Sequence, residues 1–178
     1  MNDTETITDF ITGQTLPNVG AEVYRQKVEK LLINQKGYRP ADVHVNYPLA
    51  VTIGRDTYQS RVDLVVEIDN RFIMAIKCAA GSLGSRQRES LAAARLLTDY
   101  QVPISVVSSG ETAIVLDSVT GEETGTGLAA IPDREGAKKL IAKDAFTPYP
   151  QDRWEREAII FRSYDTMNVN VVNTSGGR

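Results

Sequence analysis

An α/β architecture, a mixed β-sheet flanked by helices, follows from three features of the sequence. Residues 44–78 carry three β-rich runs separated by short turns. A helix-forming segment, Arg86–Tyr100, comes directly after them. Two further β-rich runs, Ile104–Ser108 and Thr112–Asp117, follow that helix. Strand, helix and strand in succession imply a crossover connection, and therefore a sheet that is not purely antiparallel.

In chain order, residues 1–17 read as a polar leader ending at Pro17. Asn18 is placed to cap a helix in which Ala21, Tyr24, Val28, Leu31, Leu32 and Gln35 recur at helical spacing. Gly37 and then Pro40 end it. His44–Ile53, Tyr58–Ile68 and Phe72–Cys78 form an antiparallel meander, turning at Gly54-Arg55-Asp56 and Asp69-Asn70. The loop Gly81–Ser85 leads into the alanine-rich helix. It lacks the lysine and threonine of a phosphate-binding loop and reads as a plain connection. Beyond Gly125 the pattern weakens. Helices are expected over Asp133–Lys143 and Gln151–Tyr164, a short strand over Asn168–Val172 and a frayed end from Asn173. The expected organisation is a leader (1–17), one domain (18–145) and a C-terminal helical extension with a flexible tail (146–178).

Composition narrows the chemistry. The 178 residues are 42% hydrophobic and 24% charged, which suits one domain with a core of ordinary size. No run approaches the roughly 20 apolar residues that span a bilayer. The acidic start MNDTETITDF is unlike a secretion signal, so a cytoplasmic protein is expected. One cysteine, Cys78, excludes an internal disulfide; one histidine, His44, excludes zinc sites needing several thiolates or imidazoles. Both lie in strands and read as structural. The net charge of −3 gives no global attraction for nucleic acid, but leaves room for a local basic face.

The stretch with chemical content is Arg61-Val62-Asp63-Leu64-Val65-Val66, followed by Phe72-Ile73-Met74-Ala75-Ile76-Lys77. Alternate strand positions share a face, so an acid and a lysine on neighbouring strands can flank one site. This resembles the PD-(D/E)xK nucleases, where an aspartate on one strand is joined by an acid, any residue and a lysine on the next. Residues 19–120 resemble more specifically the N-terminal domain of type I restriction enzyme R subunits. The resemblance implies a restriction-endonuclease-like fold and Mg²⁺-dependent hydrolysis of DNA phosphodiesters. Asp63 would bind the metal and Lys77 would assist the attacking water. It also matches Glu22 to an auxiliary acid on the first helix, Gln87 to the glutamine of a QxxxY motif, and VPISVVSSGETAIVLD to a hairpin. Two positions depart from the pattern. Ala75 stands where the second acid belongs, and Leu91 where the tyrosine belongs.

Register tests whether Asp63 and Lys77 can meet. If Ile68 pairs with Phe72 around the loop Asp69-Asn70-Arg71, Asp63 opposes Lys77 and Val65 opposes Ala75. A regular two-residue turn would oppose Asp63 to Ile76 and split the site between two faces. The site therefore requires an odd loop or a bulge. Some relatives in this nuclease group carry the second acid on the following helix, and Glu89, twelve residues after Lys77, is the candidate. Its carboxylate should then lie within about 8 Å of Asp63, a reach that two carboxylates on one Mg²⁺ and its waters must share. Glu67 shares a face with Asp63 but is about 13 Å along the strand, too far to share a metal.

Arg88 and Arg95, seven apart, share a helix face and with Arg86 and Gln87 could hold a DNA backbone. The same residues would equally make a solvated helix side. No GxxxxGK[ST] element occurs, so ATP-driven activity is not expected here, and the protein is either a stand-alone relative or works with separate restriction-modification or motor subunits. Two other functions stay open: a catalytically degenerate nuclease fold that binds DNA or a protein partner, and an unrelated α/β domain working through protein contacts, with Asp63 and Lys77 an exposed ion pair.

Overall fold

The three-stranded meander is extended on one side only, by the strand that follows the alanine-rich helix. The computed structural model describes residues 5–143 and 146–175, with side chains through Met167. β3 (Val43–Ile53), β4 (Asp56–Ile68) and β5 (Arg71–Cys78) pair antiparallel. The helix α2 (Gln87–Leu96) then carries the chain to β6 (Ile104–Ser108), which pairs parallel with β5. β7 (Ala113–Asp117) and β8 (Glu123–Thr126) complete a six-stranded mixed sheet in the order β3-β4-β5-β6-β7-β8. The expected mixed sheet with helices on its faces is present.

The two faces are covered by different helices. On one, α1 (Glu22–Asn34) packs Val28, Leu31 and Leu32 with Leu64, Val66, Met74 and Ile76. The other face holds Val65 and Ala75 against Ala92, Ala93 and Ala94 of α2 and Ala158 and Phe161 of α4 (Trp154–Ser175). Small alanines on α2 let it lie close to the sheet. A third helix, α3 (Arg134–Ala142), is capped by Asp133, whose side chain accepts from Gly136 N–H at 2.7 Å. Gly110, at φ +76°, turns β6 into β7 where a Cβ would fall 2.2 Å from Lys27 Cβ on α1. Only glycine permits that approach. Among the described residues, no helix is long and apolar enough to cross a membrane.

The β4–β5 connection resolves the register question in an unexpected way. The turn is the two-residue kind, with Ile68 opposite Arg71 and both Asp69 (φ 51°) and Asn70 (φ 61°) left-handed. Asp and Asn tolerate that conformation, and it matches the twist of a tight hairpin. The expected three-residue loop is absent. A bulge between Val66 and Glu67 compensates: Glu67 opposes Phe72, whereas Val66 opposes Met74 and Val65 opposes Ala75. Ile73 is the extra residue, and continuing the ladder one place beyond Leu64↔Ile76 sets Asp63 against Lys77.

Four expectations at the chain ends are corrected. The leader is not a plain polar segment, because β1 (Thr6–Thr8) and β2 (Thr15–Pro17) form a hairpin. Asn18 does not cap α1, whose N-cap is Ala21 without a side-chain bond. Residues 168–172, whose alternating Asn and Val suggest a strand, continue α4, which runs to Ser175. The frayed end from Asn173 is helical as far as Ser175, and residues 176–178 lie outside the described residues.

A buried ionic cluster docks the hairpin onto α1. Asp9, Arg25 and Glu29 are each 1% exposed or less. Arg25 pairs with Asp9 at 3.1 Å and with Glu29 at 3.7 Å, while Gln26 accepts from Phe10 N–H and donates to Asp9. Burial, reinforced by the Asp9 charge, pushes the Glu29 carboxyl up to about 7 against the pull of Arg25. The folded state therefore prefers neutral Glu29. Its contribution is fully present below the ordinary value near 4.5 and is lost as pH rises to about 7. Urea melts should show stability falling by up to about 3 kcal/mol between pH 5 and pH 8. Glu29→Gln should flatten that slope; an unchanged slope in the variant would assign it elsewhere.

Candidate functional site

Asp63 and Lys77 meet on the face that α2 and α4 cover. The Asp63 carboxylate accepts the backbone N–H of Cys78 at 2.8 Å, which fixes its orientation. The Lys77 ammonium lies 3.8 Å from Asp63 Oδ2 and 3.1 Å from Glu89 Oε1. The two carboxylate oxygens thus lie within about 7 Å of one another, the sum of those distances. That satisfies the limit expected for a carboxylate supplied from α2.

Electrostatics follow from this packing. The side chains of Asp63 and Lys77 are 18% and 21% exposed, whereas that of Glu89 is 2% exposed. Burial works against the charged ammonium, but Asp63 and Glu89 outweigh it and hold the Lys77 pKa above its ordinary value. Lys77 is therefore a cation at every physiological pH. Burial raises the Glu89 carboxyl; Lys77 opposes that shift and Asp165 adds to it. A cavity of about 10 Å³ touches Arg61, Lys77, Glu89 and Phe161, room for about one water.

Asp165 is the residue that sequence reading missed. It lies on α4, is 6% exposed, and its Oδ2 accepts from the hydroxyls of Tyr58 and Ser60, both at 2.7 Å. No local motif marks it. The one available signal was periodic: Ala158, Phe161 and Asp165 recur at helical spacing on one face.

Other expected residues go elsewhere. Glu22 opens α1 on the opposite side of the sheet and pairs with Arg25; among the described residues no bond links it to Asp63, Lys77 or Glu89. Ala75, 1% exposed, packs in the core beside the alanines of α2. Arg88 and Arg95 do share a face, but it is turned to α4. Arg88 grips the Glu157 carboxylate through both terminal nitrogens at 2.6 Å, and Arg95 reaches it at 3.2 Å. The Glu157 carboxyl, despite burial, is held below its ordinary value by these guanidinium groups. The face pictured as open to a DNA backbone is thus a helix–helix contact. Arg86 and Gln87, at the start of α2, remain half-buried. Glu67 pairs with His44, away from Asp63. The Cys78 thiol is buried, which pushes its pKa well up and makes it a poor nucleophile.

Comparison with known proteins agrees with this architecture. The family model described as Type I restriction enzyme R protein N terminus (HSDR_N) matches residues 20–132. A fragment structure described as an HsdR subunit of a type I restriction enzyme from Vibrio vulnificus YJ016 shares the fold, with a TM-score of 0.54 at 19% identity. The alignment covers 70% of this chain and 25% of that one, so this chain spans about a quarter of its length. No curated protein matches the sequence.

Removing the ammonium tests how far the acids depend on it. Lys77→Met leaves the buried Glu89 carboxylate facing Asp165 and should cost about 3 kcal/mol in urea unfolding at pH 7. Lys77→Met with Glu89→Leu should recover most of that loss; full additivity of the two changes would mean that the residues do not interact.

Proposed function

Because the chain belongs to the type I restriction enzyme R protein N-terminus family, we propose that it is a nuclease module acting on DNA phosphodiesters, with Asp63, Lys77 and Glu89 as its working groups. The observation that carries this reading is the Lys77 ammonium lying between two carboxylates, one from β4 and one from α2. Glu89 then stands in for the acid absent at Ala75. The donor set suits Mg²⁺, which takes one or two carboxylates and keeps several waters. Two carboxyl groups, Asp63 and Glu89, face the single Lys77 ammonium, an excess of negative charge that a dication would offset.

When bound, Mg²⁺ would lower the pKa of a water and neutralise charge on the phosphate. The chain's own groups set the geometry. The Cys78 N–H fixes one oxygen of Asp63. Lys77, whose charged form Asp63 and Glu89 favour, donates to the attacking water or to the phosphate oxygens as negative charge develops. Glu89 holds the ammonium in place. Translocation and sequence recognition, which a type I system also needs, lie outside the groups described here.

A second reading, a nuclease fold kept for binding DNA or a protein partner, is favoured by the burial of Glu89 and its pairing with Lys77, a network that closes without metal. Supercoiled plasmid and single-stranded DNA, incubated with Mg²⁺ or Mn²⁺, separate the two. The nuclease reading expects cutting that drops at least 100-fold in Asp63→Ala and Lys77→Ala and at least 10-fold in Glu89→Gln. Folded wild-type protein that binds DNA in a gel shift but never cuts it would establish the second reading instead.

A further inference from the structure

We infer that Arg61 is a DNA-phosphate contact at the mouth of the site formed by Asp63, Lys77 and Glu89. The inference rests on the proposed nuclease reading for the identity of the ligand. It names a residue to which the acid-and-lysine pattern assigns no part.

Arg61 lies on β4, two residues before Asp63 and about 7 Å from it along the strand. It lines the small cavity together with Lys77, Glu89 and Phe161. The residue is exposed, and among the described residues its guanidinium forms no ion pair, hydrogen bond or ring contact. Directly opposite on β3 stands Pro48, whose side chain offers no polar partner. The arginines of α2 are already taken, because Arg88 and Arg95 both hold Glu157. Arg61 is thus a cation that the fold leaves unpaired beside two carboxylates.

Size and charge define the ligand. A cavity of about 10 Å³ has room for about one water. A base or a sugar is too large for it, and only one oxygen of a group presented from outside can enter. A backbone phosphate meets that condition. One oxygen points toward Lys77, and the others stay at the surface, where a guanidinium donates a fork of parallel N–H bonds. Charge balance points the same way. Asp63 and Glu89 repel an approaching phosphate; Lys77 offsets one of those charges and Arg61 the other.

The test is the salt dependence of DNA binding by the whole chain, read from the fluorescence anisotropy of labelled duplex and single-stranded oligonucleotides. Ca²⁺, a dication that also takes oxygen ligands, replaces Mg²⁺ in these titrations. Plasmid cutting with Mg²⁺ is followed in parallel. Each phosphate contact adds about 0.7 to 0.9 to the slope of log affinity against log salt. Arg61→Ala should lower the slope by that amount and weaken binding roughly 10-fold at low salt. Arg61→Lys keeps the charge and should keep the slope. Arg55→Ala is the control: Arg55 is exposed on the β3–β4 turn, about 20 Å along the strand from Arg61, and its loss should leave the slope unchanged. Wild-type slope and affinity in Arg61→Ala, or an equal loss in Arg55→Ala, would overturn the inference; plasmid cutting that still depends on Asp63 would leave the nuclease reading standing. Wild type that binds neither oligonucleotide overturns the inference and, if it also leaves plasmid uncut, the nuclease reading with it. Binding without cutting overturns the nuclease reading alone, since the slope still reports on Arg61.

Discussion

Lys77 reaches Asp63 only because the β4–β5 ladder absorbs one extra residue at Ile73. The tight Asp69-Asn70 turn by itself would place Ile76 opposite Asp63. Strand side chains alternate, so a slip of one place exchanges the whole contents of the two faces. Ile76, now in the core beneath α1, would face the alanines of α2, and the lysine would be driven into the apolar layer. The bulge keeps both constraints at once, a hairpin short enough to be well formed and an ammonium on the side where the carboxylates are. Asn46, opposite this region with φ 54°, adds a second irregularity. Val43 precedes it in the α1-side core, whereas Leu49 and Val51 follow it in the α2-side core.

Much of this was legible in the residues. The β-rich runs and the alanine-rich segment place five strands and the crossover helix, because period-2 and helical patterns are local properties. Asp63 and Lys77 could be set on one face from strand alternation, whereas Glu89 was reached through the resemblance to nucleases that carry the second acid on the following helix. The bulge could be required but not located, since Ile73 is an ordinary apolar residue whose displacement depends on the turn beside it. The N-terminal hairpin was hidden because its strands are three residues each; it is held by Asp9 meeting Gln26 and Arg25, contacts made only once α1 exists. Asp165 lies 102 positions from Asp63, and nothing near it announces that Tyr58 and Ser60 will accept its company. The arginines of α2 misled for a related reason: positive charge on a helix face says nothing about which neighbour will cover it.

α4 is structural and electrostatic at once. Ala158 and Phe161 fill the layer above Val65 and Ala75. Glu157 satisfies Arg88, Arg95 and the Tyr149 hydroxyl, so two guanidinium groups that would repel each other share one buried carboxylate. Helix and domain are bound too closely for the C-terminal segment to be an appendage, even though the family-matched residues end well before it.

Ala75 carries a consequence for how this chain can change over time. Its methyl group is 1% exposed, enclosed by Val65, Ala92, Ala93 and Phe161. A glutamate there would insert four extra heavy atoms and a charge into a close-packed layer, beside a lysine already shared by two acids. Each of those neighbours would have to shrink or shift first, and none gains by doing so alone. With the core closed around this small residue, a single substitution cannot seat an acid on the strand, and any change in the carboxylates around Lys77 is easier to make on the helices that cover it.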